Sequence, residues 1–176
     1  MEKTVDPLQD SSKDSGLEQL FLDELNELYG AEQHQLTVLL MLKKAASSQK
    51  LQNVLASHLD DTREHIGRLE KIFGKIGVAP AARLSEAMLG ITREGERVIE
   101  TTGKDTATRD AGIIVSVQKL EHYEITAYGS VAQHARTLDH EDLEDLLELT
   151  LHEEKEADDL LTALAENYIN SEAKKE

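Results

Sequence analysis

Four times between Gly16 and Asn167 an apolar stripe of helical spacing is interrupted near its middle by an acid or a histidine. The stripes decide the fold class. Leu17, Phe21, Leu25, Leu28, Leu36, Leu39 and Leu42 recur every three or four positions, as one buried helix face requires, with Phe21 and Leu25 set a full turn apart. A second stripe runs Leu51, Leu55, His58, Thr62, His65, Leu69, Ile72, Ile76. A third runs Ile114, Val117, Glu121, Glu124, Tyr128, Val131, and a fourth Leu143, Leu147, Thr150, Glu154, Ala157, Leu161, Leu164. No sustained alternation and no Asn-Gly hairpin marks a strand. The two prolines, Pro7 and Pro80, fall near boundaries and leave the long stretches free for helix.

The expected helices cover about residues 16–46, 49–76, 85–101, 105–137 and 139–167. Ser48 is placed to cap the second, Gly77 to end it, and Asp139 to cap the last. The short break at Ser47-Ser48 makes the first two long helices antiparallel neighbours, and the turn near Asp139 does the same for the last two. Two hairpins joined by a long connector give a four-helix bundle with an additional short helix in the crossover. Residues 1–15 read as a flexible tail, 16–168 as one bundle domain and 169–176 as a frayed end.

Composition narrows the chemistry. With no cysteine in 176 residues, disulfides, thiolate metal sites and Cys nucleophiles are excluded. A formal charge of −16 disfavours nucleic acid and anionic membranes as partners. No apolar run is long enough to span a bilayer, and the acidic start lacks the features of a signal peptide. A cytoplasmic protein is expected.

Glu32 lies on the first stripe, His58 and His65 on the second with Asp61 a turn from each, Glu121 and Glu124 on the third, and Glu154 on the fourth with Asp158 a turn on. A buried, unpaired carboxylate costs several kcal/mol or takes up a proton. No Lys or Arg shares these stripes, so cations between the helices are the expected counter-charge. Carboxylates and imidazoles suit iron or manganese, and also zinc. Depth agrees: Glu32 is about 15 residues before the first turn and Asp61 about 13 after it, at 1.5 Å per residue. Glu124 and Glu154 are likewise nearly equidistant from the turn at Asp139.

Plainer readings exist for each residue alone. Glu32 could be a surface acid, His58 a satisfied core histidine, and Glu121 with Glu124 a solvated face. In HEEKEADD, Glu153 or Glu156 could stand in for Glu154 or Asp158. The coincidence of all four helices at one depth favours a two-ion centre. Tyr29 and Tyr128 are within a turn of proposed ligands and could donate to them; ordinary packing is the simpler reading. His122 points off the main line; His34, His134, His140 and His152 read as solvent or interface residues.

The segments LFLDELNELYGAEQ, HLDDTREHIGRLE, EAMLGITREGERVIE, RDAGIIVSVQKLEHYEITAYG and LHEEKEADDLL together resemble the YciE/YciF group of ferritin-like proteins over about residues 17–167. The resemblance implies a ferritin-like bundle, usually dimeric, with a rubrerythrin-like di-metal centre and a link to bacterial stress. It points to Glu32, His58, Asp61, Glu121, Glu124, Glu154 and Asp158. One departure stands out. Ferritin-like di-iron proteins carry Glu-x-x-His on two helices, whereas here the matching positions read Asp61-Thr-Arg-Glu64 and Glu154-Lys-Glu-Ala157. The imidazole must come from His58 or His65.

The expected function is a di-metal carboxylate protein of stress response with two iron ions per chain, reacting with O₂ or peroxide as an oxidase or peroxidase and taking electrons from an external donor. The alternative is a non-catalytic homodimeric bundle whose polar layer fixes register or serves a partner.

Overall fold

The computed structural model describes residues 16–176. Among them the order is α1 (Gly16–Ala45), α2 (Gln49–Ile76), α3 (Glu86–Thr101), α4 (Ala107–Thr137), α5 (Glu141–Leu164), a π-helical turn (Ala165–Ile169) and α6 (Asn170–Ala173), with no strand. The fold is an all-α, ferritin-like four-helix bundle of α1, α2, α4 and α5, with α3 lying in the crossover against α4 and α1. The expected tail at 1–15 lies outside the described residues.

Local chemistry explains the boundaries. The Ser48 side chain accepts from Leu51 N, and Gly77 takes the left-handed conformation, φ 83°, that ends α2. Ser85 and Thr106 cap α3 and α4 in the same way. Asp139 is not the cap of α5. It sits at φ 60°, inside the turn, and His140 occupies the cap position without a side-chain hydrogen bond. Asp tolerates that left-handed conformation, and the turn needs one residue there.

Two further sites hold the bundle at one end. Buried Asp110 of α4 accepts from Ser47 N and Ser48 N, each at 2.8 Å, and from Ser47 Oγ at 2.7 Å, so the α1–α2 turn is tied to α4. Residues expected to fray continue instead as helix to Ala173. Glu176 then reaches back, its carboxylate accepting from Ala107 N, Thr108 N and Thr108 Oγ1 at the start of α4. The wide π turn shifts the α5 stripe by one residue, burying Ile169 and leaving Tyr168 outside under Lys50.

Among the described residues the buried apolar side chains form two clusters. One contains Leu39, Leu42, Leu51, Leu55, Ile113 and Val117; the other contains Leu25, Leu28, Leu69, Ile72, Val131 and Leu147. Along every long helix the switch from one cluster to the other falls at the polar residues of the stripe.

Candidate metal centre

α1 brings Glu32 and Gln35 to this level, α2 brings His58 and His65, α4 brings Glu121 and Glu124, and α5 brings Glu154. All seven are buried, and the four glutamates have no exposed surface at all. Five of them form two groups of three that share Glu154. His65 Nδ1 lies 2.8 Å from Glu154 Oε1 and 3.3 Å from Glu32 Oε1. His58 Nε2 lies 3.0 Å from Glu121 Oε1 and 3.9 Å from Glu154 Oε2. In each group the candidate ligand atoms all fall within 4.8 Å of one another. Glu154 belongs to both, one oxygen facing each imidazole.

The donor set fits a cation. Both oxygens of Glu121, Glu124 and Glu154, and Oε2 of Glu32, lack a hydrogen-bond partner although no solvent reaches them. Among the described residues only two imidazoles and the Gln35 amide face the lone pairs that converge there, and a protein interior does not tolerate so many carboxylates without further counter-charge. Hard oxygens with two imidazoles suit a divalent transition metal.

Neighbouring residues orient the set. Tyr128 donates to Glu32 Oε1 at 2.6 Å. On the far side of His65, Nε2 is 3.0 Å from Glu153 Oε2, and Arg68 donates to both oxygens of Glu153, at 2.7 and 3.2 Å. A carboxylate held on one ring nitrogen fixes the proton there and leaves the other nitrogen free to ligate. Gln35 Nε2 lies 2.9 Å from His58 Nε2.

Electrostatics carry the same signature. Burial, then the neighbouring acids, pushes Glu121 and Glu124 well above the carboxylate range. Burial also raises Glu32, against the opposing pull of His65. For Glu154 burial is outweighed by the contacts with His65, Glu121 and His58, which hold it low. Burial disfavours charge on His65, yet the Glu154 and Glu32 carboxylates lift its pKa to about 10. Without a metal, protons and one imidazolium supply the balancing charge.

Six of the eight residues expected at the centre meet: Glu32, His58, His65, Glu121, Glu124 and Glu154 share the level. Asp61 and Asp158 do not join them. Asp61 lies three residues after His58, about 60° round the helix, and is exposed. Asp158 is about 40° and 6 Å on from Glu154; it accepts from Gln118 Nε2 at 3.0 Å and faces His122 at 3.5 Å. Helix phase also separates the α5 acids: Glu153 is partly exposed and Glu156 largely so. Tyr29 turns away to Glu70. Gln35 and Arg68 are the residues that the sequence reading missed. Gln35 stands three positions after Glu32, a spacing that would have placed it on the stripe in place of half-buried Leu36.

A four-helix bundle that turns carboxylates and imidazoles from all four helices onto one buried level has the architecture of the ferritin-like carboxylate proteins. The comparisons agree. The chain belongs to the DUF892 family (domain of unknown function), whose model matches residues 16–174, and within it to the YciE/YciF group. It is 37% identical over 158 residues to protein YciF of Escherichia coli K12, covering 89% of this chain and 95% of that one. The crystal structure of the E. coli stress protein YciF superposes with a TM-score of 0.84 at 35% identity, covering 89% of this chain and 99% of that one. YcfI of Rhodopseudomonas palustris follows at 0.81 and 32%, covering 86% and 96%. A Xanthomonas campestris protein at 15% identity and a TM-score of 0.70, covering 89% and 96%, shares the fold. No described helix is long and apolar enough to cross a membrane.

Proposed function

We infer that the chain is a di-metal carboxylate protein, with iron as the resident metal and a role in stress response like that named for its E. coli relative. The observation that carries this reading is Glu154, one carboxylate shared by two buried groups, each with its own imidazole and a further glutamate. Glu32, His65 and Glu154 would hold one ion, and His58, Glu121 and Glu154 the other. Glu124, fully buried and within the electrostatic reach of Glu32, Glu154 and Glu121, would be the carboxylate able to join either. When bound, a ferrous pair supplies the two electrons that reduction of peroxide requires, or that activation of O₂ begins with. The chain's own residues exclude water from the layer, hold the His65 tautomer through Glu153 and Arg68, and fix Glu32 through Tyr128. Electrons return from an external donor, since the chain has no cysteine for a redox centre of its own. The working unit is a homodimer in the cytoplasm.

The test is metal content after growth in iron- and manganese-supplemented medium, with Glu121→Ala/Glu124→Ala as the control. About two ions per chain, lost in the double variant, with a lower melting temperature after chelation, is the expected result. No metal in either protein after reconstitution would leave a non-catalytic bundle. Sedimentation at dimer mass is expected; a cage-sized assembly would indicate storage.

A further inference from the structure

Asp61, left out of the buried level, lines a groove between α2 and α5. The groove is open to solvent, holds about 520 Å³, and is lined by Ser57, His58, Asp61, Glu153, Glu156 and Leu160 among others. Its carboxylates descend in steps. The Glu156 side chain is 65% exposed, Glu153 31%, and the His58 side chain 5%. Behind His58, Glu121 is fully buried. His58 Nδ1 is buried and has no hydrogen-bond partner, while Nε2 of the same ring faces Glu121. One imidazole therefore belongs both to the groove and to the centre. The basic groups nearby leave acid in excess: Arg68 is taken up by Glu153, His152 at the exposed rim lies 3.3 Å from Glu156, and among the described residues no Lys or Arg lines the groove beside Asp61.

We propose that the α2–α5 groove is the entry path for the divalent cation, with Asp61 and Glu156 collecting the hydrated ion and His58 passing it to Glu121 and Glu154. The proposal rests on the metal-centre reading. A cleft lined by one sign of charge raises the local concentration of the opposite ion, and on-rates rise by about 10- to 1,000-fold. Leu160 and Ala157 complete the walls with apolar surface, which leaves the acids as the groups an ion can step between.

The experiment is stopped-flow uptake of Co²⁺, followed by its absorption, in the full-length metal-free protein at low ionic strength. Asp61→Asn/Glu156→Gln is compared with Glu141→Gln/Asp145→Asn, which removes two exposed acids about 16 Å or more away along α5. The groove variant is expected to load about tenfold more slowly and to reach the wild-type stoichiometry, while the control loads at the wild-type rate. Added salt should slow the wild type towards the groove variant. Equal rates for groove variant and wild type, or equal slowing in the control, would overturn the path and leave the centre standing. A reduced final stoichiometry in the groove variant would also overturn it, by making these acids ligands. Failure of the wild type to take up Co²⁺ would remove the centre, and the path with it.

Discussion

Arg68 touches neither group of ligands, yet the orientation of His65 depends on it. Its guanidinium holds Glu153, and Glu153 holds His65 Nε2. Arg68→Gln should fold but bind metal about 10- to 100-fold more weakly, read by titration against a competing chelator. Tyr128→Phe leaves Glu32 without its donor and should cost the metal-free protein about 1 kcal/mol in urea unfolding. Residue by residue, the sequence was most legible where the period was regular. Every stripe position on α4, Glu121 and Glu124 included, is buried as its spacing requires. It was least legible where many acids cluster. In HEEKEADD a single residue changes the direction by about 100°, so composition cannot select Glu154 over Glu153, and only packing against α2 does. Arg68 was hidden for another reason: a long cationic side chain off the stripe gives no periodic signal, and its partner is 85 residues away.

The two ends of α2 were readable, because the Ser48 side chain and the left-handed Gly77 backbone act on neighbours in sequence. Contacts between elements were not. The crossover presses on α1 at Gly30, where an added Cβ would lie 2.3 Å from the backbone oxygen of Arg83. Gly30→Ala must push that backbone away and should destabilise by about 1–3 kcal/mol in denaturant unfolding, with metal stoichiometry unchanged. Asp110 shows the same limit: the one acid in the first turn of α4, it proves to accept three hydrogen bonds from the α1–α2 turn. Asp110→Ala should cost about 2–3 kcal/mol by the same measurement, since charged acceptors contribute more than neutral ones.

For the molecule as a whole, the polar level divides the interior between two apolar clusters, and protons must hold it together when metal is absent. Glu32, Glu121 and Glu124 have raised values in the folded state, so they bind protons that the unfolded chain releases above about pH 4.5. That contribution is present at low pH and is lost as pH rises through the folded values. His65 adds the same sign between 6.5 and about 10. Glu154, held low, opposes them. The melting temperature of metal-free protein should therefore fall between about pH 5 and 9, and metal should flatten the slope by replacing the protons. Because Glu154 sits in both groups, neither is complete until α5 has docked. During synthesis the ribosome must release residue 154 of 176 before the chain can close either group around an ion. On the metal-centre reading ion capture should then follow assembly of the bundle, and any truncation before α5 removes both groups in one stroke.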